Sequence, residues 1–329
     1  MKKFINKVDD VLVESLSGFA MAHQDIVQLH LDPHFVVRAN KASNKVALIS
    51  GGGSGHEPLH AGFVGYGMLD AACPGHVFTS PSPDQMLAAA EAVDAGKGVL
   101  FIVKNYAGDV MNFEMAAEML SVPNATVLTS DDVAVENSTW TTGRRGVAGT
   151  VIVEKVVGSL AETGADLAAC KALGDKVNQR TGSMGVALTS CTVPAAGRAT
   201  FDIGDNELEM GVGIHGEPGR RREAMRPADA IVADLVAAIL HDLKPAAGAE
   251  VLLMVNGFAA TPLMELYLLY HSAEKLLKAQ GLIVSRSLVG NYTTALDMAG
   301  ASITLCLLDD EIKQHWDSPV HTAGLRKGC

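Results

Sequence analysis

The sequence predicts an α/β protein built from two domains, and three observations carry that expectation. The chain has 329 residues, a length that suits two cores at roughly 150 residues per domain. Glycine is abundant at 33 residues while aromatic residues make up only 5%, a balance typical of chains with many tight strand-to-helix turns. Short apolar runs also alternate with longer helical patterns, as a parallel sheet with crossover helices requires. The expected N-terminal domain covers residues 1–183 as a doubly wound parallel or mixed sheet. A smaller C-terminal mixed-sheet α/β domain covers 184–329, with the tail at 312–329 free to pack back on the first domain.

Each element has its own signal. Val46–Ser50 is a continuous apolar run, as a buried parallel strand should be, and it leads into Gly51-Gly52-Gly53-Ser54-Gly55-His56-Glu57-Pro58. Ser82, Pro83 and Gln85 form a capping box with proline at the first helical position, followed by Met86, Leu87, Ala90 and Val93 at helical spacing. A second buried strand is expected at Val99–Val103, a helix around Val110–Leu120 and a third strand at Ala125–Leu128. Helices follow at Val147–Glu162, apolar on most faces and so buried, and at Asp166–Arg180. Beyond Ser183 the pattern gives strands at Met184–Leu188 and Glu207–Ile214, a helix at Ala228–His241 and a strand at Val251–Val255. A helix from Thr261 to about Gln280 and strands at Ile283–Leu288 and Ile303–Leu308 finish the core.

Composition excludes several classes. Against 37 acidic residues stand 26 Lys and Arg, for a net charge of −11, and such a chain is a poor partner for nucleic acid. Hydrophobic residues at 48% and a mean hydropathy of +0.20 exclude a disordered polyelectrolyte. Five cysteines, at 73, 170, 191, 306 and 329, form no CxxC pair, so reduced thiols in a cytoplasmic protein are expected. The N-terminus lacks the apolar core of a signal peptide, and no run of 18 apolar residues suggests a membrane span.

The motifs narrow the chemistry. Gly51–Gly53 at the end of a strand suits close approach by a phosphate or a polar carbonyl compound, the plain alternative being a turn that needs positive φ. His56 stands where a dinucleotide fingerprint or a nucleophile elbow would need glycine, and no GxxxxGK[ST] loop exists. His56-Glu57-Pro58-Leu59-His60 matches the zinc-protease pattern HExxH, but Pro58 after a glycine run is the wrong context for two histidines on one established helix. Lys104 and Asp109 bracket the turn after the second strand; they read either as a polar site at a strand end or as a solvated lysine and a helix cap. His215, among Gly213, Gly216, Pro218 and Gly219, is either a structural histidine or one presented by a backbone-supported turn. Arg144-Arg145 and Arg220-Arg221-Arg222 read as solvated faces or as anion contacts, and Asp131-Asp132 is weak as a metal signal.

Three segments taken together carry a resemblance: Gly51 to Pro58, Lys104-Asn105-Tyr106-Ala107-Gly108-Asp109, and Gly211-Val212-Gly213-Ile214-His215-Gly216-Glu217-Pro218-Gly219. With Gly143-Arg144-Arg145-Gly146, Cys191 to Gly197 and Asp317 to Thr322, the chain resembles the substrate-binding subunits of the dihydroxyacetone kinase family along most of its length. The resemblance implies a homodimer of two-domain subunits that binds the triose covalently, as a hemiaminal on His215. It implies substrate contacts at Gly53, Ser54, Gly55, His56, Lys104, Asp109 and His215. His56 and Asp109 are both left as candidates for acid/base work. No metal or cofactor is expected on this chain; ADP and magnesium are expected on a separate ADP-bearing subunit of the DhaL type. A phosphotransferase-system phosphocarrier of the DhaM type would recharge that subunit, making the whole a phosphoenolpyruvate–glycerone phosphotransferase.

The implied chemistry is sound. A neutral imidazole, with an ordinary pKa near 6.5, can attack a ketone. A covalent tether orients a substrate too small to offer many contacts, and it rejects glycerol, which has no carbonyl. Phosphoryl transfer then depends more on positioning than on full deprotonation of the hydroxyl. Two alternatives accompany this reading: a four-carbon ketose such as erythrulose as substrate, and a non-catalytic ketose sensor acting on a transcriptional regulator.

Overall fold

The computed structural model describes residues 2–135 and 143–328. In chain order, α1 (Val11–Ala22) precedes the hairpin β1 (Val27–Leu31) and β2 (His34–Arg38), then β3 (Ala47–Ser54), β4 (Gly65–Tyr66) and β5 (Ala71–Val77). Next come α2 (Pro83–Val93), β6 (Val99–Lys104), α3 (Ala107–Met119), β7 (Asn124–Thr129), α4 (Gly149–Glu162) and α5 (Leu167–Gln179). The later half holds β8 (Thr181–Ala187), β9 (Glu207–Met210), β10 (Arg221–Ala224), α6 (Ala228–Leu243), β11 (Glu250–Gly257) and α7 (Leu263–Ala279). It closes with β12 (Ile283–Gly290), β13 (Gly300–Leu307), α8 (Asp310–Asp317), β14 (Val320–Thr322) and β15 (Arg326–Lys327).

The strands form two six-stranded mixed sheets, ordered β1-β2-β5-β3-β6-β7 and β10-β9-β8-β13-β11-β12, and a small sheet β15-β14-β4. In the first, β5, β3, β6 and β7 run parallel and the β1–β2 hairpin adds antiparallel pairs. In the second, only β11 and β12 are parallel. The third joins Tyr66 to His321, tying the last strands to the first half of the chain.

Alternating side chains of β3 build the layers. Ala47 and Ile49 pack with Met86, Ala89 and Phe113 of α2 and α3, while Leu48 faces Val153, Val156 and Val157 of α4. Helix α4 is buried continuously from Gly149 to Ser159, because Leu252 and Met254 of β11 and Cys306 of β13 cover its far side. Val251, Leu253 and Val255 point the other way, into a core shared with α6 and α7. The result is five layers with α4 at the centre, which explains why its sequence is apolar on most faces. Among the described residues no helix is long and apolar enough to cross a membrane. Cys73, Cys170, Cys191 and Cys306 are buried free thiols, and Cys329 lies outside the described residues.

Two strand boundaries differ from expectation in ways that matter for function. β3 does not stop at Ser50 but continues through Gly51–Gly53 to Ser54. Its glycines serve close approach rather than a turn: a Cβ on Gly51 would sit 2.5 Å from the Cys73 carbonyl oxygen and one on Gly53 2.5 Å from Thr79 N, while positive φ first appears at Gly55 (105°). β9 ends at Met210 rather than Ile214, because Gly211 at φ 79° turns the chain. The strand returns as β10, with Arg221 opposite Met210, so His215 lies on the loop of a β9–β10 hairpin.

Candidate active site

A cavity of about 520 Å³ opens at the carboxyl ends of β3 and β6, closed on one side by the β9–β10 loop. Gly53 from β3, Tyr106 and Asp109 from the start of α3, and His215 and Glu217 from the loop line it. Strand carboxyl ends are the usual binding edge of a parallel sheet, since the turns there bring side chains from separated segments together.

His215 is held by its neighbour two residues on. Glu217 Oε2 accepts the His215 backbone N–H at 2.9 Å and Oε1 accepts from the ring Nδ1 at 2.8 Å. With Nδ1 carrying the proton toward the carboxylate, Nε2 keeps a free lone pair. The Glu217 carboxyl is itself pulled down to about 2: burial opposes the ionised form, and His215, with Arg145 behind it, outweighs that cost. Arg145 is fully buried, paired with Asp132 at 2.6 Å and donating to the Gly211 carbonyl at 2.8 Å. A Cβ on Gly213 would collide with Glu217 and Arg145, so that glycine makes room for the ion pair.

His56 stands against His215, with ring centroids 4.8 Å apart and the planes nearly perpendicular. It stacks on Phe78 at 5.0 Å, and Tyr106 meets the His215 ring edge-on at 4.7 Å. His56 Nδ1 donates to the Thr294 carbonyl at 2.7 Å, leaving Nε2 buried without a hydrogen-bond partner among the described residues. Burial, then the neighbouring His215 and Lys104, hold the ring well below the ordinary histidine range, so it is a neutral acceptor. The loop carrying it is stitched to the far half of the chain by Thr294 N to His56 O and Leu296 N to Gly55 O.

Lys104 ends β6 with its ammonium buried beneath β3. Nζ donates to the Gly51 carbonyl at 3.2 Å, meets His60 Nε2 at 2.9 Å and lies 3.5 Å from Asp109 Oδ2. A Cβ on Gly52 would overlap Nζ, which is why that strand position has no side chain. Asp109 sits in the first turn of α3 with no capping bond at the helix start; it is buried and borders the cavity. Tyr106 adds a phenol kept protonated by burial, and its hydroxyl has no partner among the described residues.

The structure thus brings Gly53, His56, Lys104, Asp109 and His215 together. Ser54 and Gly55 border a second cavity of about 470 Å³ between β3 and α1, and the Ser54 hydroxyl is committed to the Gly75 carbonyl at 2.7 Å. Asp131 is structural: it accepts from Val147 N, Gly149 N and Ser183 Oγ at the start of α4. Arg144 pairs with Asp242, Arg220 binds the Val133 and Ala134 carbonyls, and Arg221 and Arg222 are exposed on β10 with Glu223, Asp234 and Glu209. In the HExxH stretch, Glu57 caps Gly55 N while His56 and His60 have different surroundings, and no group of three His, Cys, Asp or Glu able to hold a metal occurs among the described residues. Glu217, Tyr106 and Phe78 were not legible as site residues; the one sequence signal was Glu217 two residues after His215 in a glycine-rich turn.

The fold and site together define an α/β protein with an oriented histidine and a buried carboxylate bordering a cavity at the edge of a parallel sheet. Residues 17–324 match the model of the Dak1 domain, and the chain belongs to that family. It is 48% identical, over its full length and that of the relative, to a protein of Escherichia coli K12 named the dihydroxyacetone-binding subunit DhaK of a PEP-dependent dihydroxyacetone kinase. A crystal structure of the dihydroxyacetone kinase of C. freundii superposes with a TM-score of 0.89 at 35% identity, covering 99% of this chain and 60% of that longer one. A structure described as a dihydroxyacetone kinase operon co-activator matches with a TM-score of 0.88 at 32% identity, over 96% and 97% of the two chains.

Proposed function

We propose that this chain is the ketone-binding subunit of a dihydroxyacetone kinase, holding dihydroxyacetone as a hemiaminal on His215 and presenting its free hydroxyl to a phosphoryl donor on a separate ADP-bearing subunit. The observation that carries this is the pairing of His215 Nδ1 with Glu217 Oε1 at 2.8 Å, which leaves Nε2 as a lone pair beside the cavity.

In the covalent step Nε2 bonds to the carbonyl carbon and the carbonyl π pair moves to oxygen. That oxygen takes up one proton from solvent, and the ring, now bonded through Nε2, keeps its Nδ1 proton against the ionised Glu217, whose negative charge balances the positive charge the ring acquires. His56 Nε2, neutral and with no other partner among the described residues, accepts a hydrogen bond from a substrate hydroxyl and orients it. A ring held so far below its ordinary range is a weak base, so proton removal from the reacting hydroxyl falls to Asp109, which borders the cavity. Tyr106 offers its phenolic O–H to the substrate as a donor.

The test is reconstitution: the chain, dihydroxyacetone, an ADP-bearing subunit and its phosphoryl donor should yield dihydroxyacetone phosphate, and His215→Ala should yield none. An adduct without any phosphorylated product would reject the kinase reading in favour of a ketone sensor. Preferential turnover of erythrulose would move the substrate to a four-carbon ketose.

A further inference from the structure

Behind the cavity lies a buried polar chain that the chemistry above does not use. His60 Nε2 faces the Lys104 ammonium at 2.9 Å, while its Nδ1 lies 2.6 Å from Glu154 Oε1 and 3.0 Å from Ser50 Oγ. Ser50 Oγ lies 2.6 Å from the Ile102 carbonyl and also hydrogen-bonds with the Glu154 carboxyl. An ammonium has only donors, so Nε2 must accept from Lys104. That contact selects one tautomer, with the proton on Nδ1 and Glu154 Oε1 accepting it. Glu154 is fully buried in the middle of α4, where a carboxyl group is costly and an apolar residue would pack at less expense. Its Oε2 has no hydrogen-bond partner among the described residues. The groups facing His60 are therefore Lys104, His56, Glu154 and Ser50, and Lys104 in turn faces Asp109.

Resting on the reading of the site given above, we propose that His60 and Glu154 are positioning residues for phosphoryl transfer: they fix the Lys104 ammonium so that one N–H is aimed at Asp109, and thereby set how readily Asp109 takes the hydroxyl proton. The order Glu154–His60–Lys104–Asp109 repeats the logic by which a carboxylate fixes a histidine tautomer behind a reacting group. A neutral His60 suits it, since burial and then Lys104 and His56 hold the ring well below its ordinary range. Burial pushes the Glu154 carboxyl up to about 8, so it ionises within the working range of an enzyme. Once ionised, it draws the His60 Nδ1 proton, strengthens Nε2 as an acceptor for Lys104, and frees Asp109 as a base.

The experiment is steady-state kinetics of the reconstituted system with wild type, Glu154→Gln and Glu154→Asp, alongside NMR of the ¹⁵N-histidine-labelled chain. A glutamine can present N–H to Nδ1 and force the opposite tautomer against the ammonium. Glu154→Gln should lower kcat by about 10- to 100-fold, as loss of an orienting partner one step back from a working group does, while KM and ketone adduct formation stay near wild type. The wild-type kcat profile should rise through an inflection near pH 8 that the glutamine variant lacks and Glu154→Asp retains. Unchanged kcat, or an inflection that survives in Glu154→Gln, overturns the proposal. The labelled wild-type chain decides independently of any substrate or variant: His60 protonated on Nε2 contradicts the relay. An absent adduct with the expected tautomer would instead count against the ketone reading alone.

Discussion

Replacing Glu217 by glutamine tests how His215 is activated. The substitution keeps the side chain's size but removes the charge that accepts from Nδ1, and its amide can donate to Nδ1 and move the ring proton to Nε2, where the ketone must add. Loss of a carboxylate that fixes a histidine's tautomer typically costs about 10- to 100-fold, so adduct formation should weaken by that factor. The carboxyl itself is held from the ordinary 4.5 down to about 2 against its burial, by His215 and then Arg145, a shift worth about 3 kcal/mol at ~1.4 kcal/mol per pH unit. The same shift makes a stability prediction. A depressed carboxyl binds fewer protons folded than unfolded, so its contribution is full above pH 4.5 and is lost as pH falls toward 2. Denaturant titrations between pH 6 and pH 3 should therefore show Glu217→Gln losing less stability on acidification than wild type, and titration with labelled ketone should show the weaker adduct. Wild-type adduct affinity in the variant would refute the tautomer argument.

Other substitutions probe neighbouring contacts. Asp109→Asn should keep the ketone adduct and reduce turnover by at least about a hundredfold, read by adduct NMR beside product formation; normal turnover would remove Asp109 as the base. Gly52→Ala drives a methyl into Lys104 Nζ and should lower both stability and kcat, by thermal melting and kinetics, whereas Gly96→Ala, with open space around it, should leave kcat intact. Arg145→Leu breaks a fully buried pair with Asp132 and should destabilise the fold by about 3–5 kcal/mol in denaturant unfolding. Ser82→Ala removes the capping box of α2 and should cost about 1 kcal/mol without touching turnover.

Much of the architecture was readable because local signals agreed with tertiary ones. The α2 capping box, the buried β6 run and the all-round apolarity of α4 each reflect one dominant physical demand. The departures came where tertiary approach overrode local preference. Gly51–Gly53 reads as a turn, yet it is strand because Cys73, Lys104 and Thr79 press against it. Residues 207–214 read as one strand, yet Gly211 bends the chain back and puts His215 on a loop. The chemistry-bearing types His56, Lys104, Asp109 and His215 announced themselves by lying in glycine-rich segments after strands. Glu154 did not, because an orienting partner is defined by three-dimensional proximity and it is 94 residues from the histidine it holds; Glu217, only two residues from His215, takes its place when the turn folds its carboxylate back on the ring.

The central claim is a bond between one nitrogen and one carbon. Mixing ¹⁵N-histidine-labelled chain with dihydroxyacetone labelled with ¹³C at the carbonyl should move that carbon out of the ketone range and couple it directly to Nε2 of His215, with the signal absent in His215→Ala. A carbon that stays a ketone or its hydrate at saturating ligand, or that couples to another residue, would contradict the account.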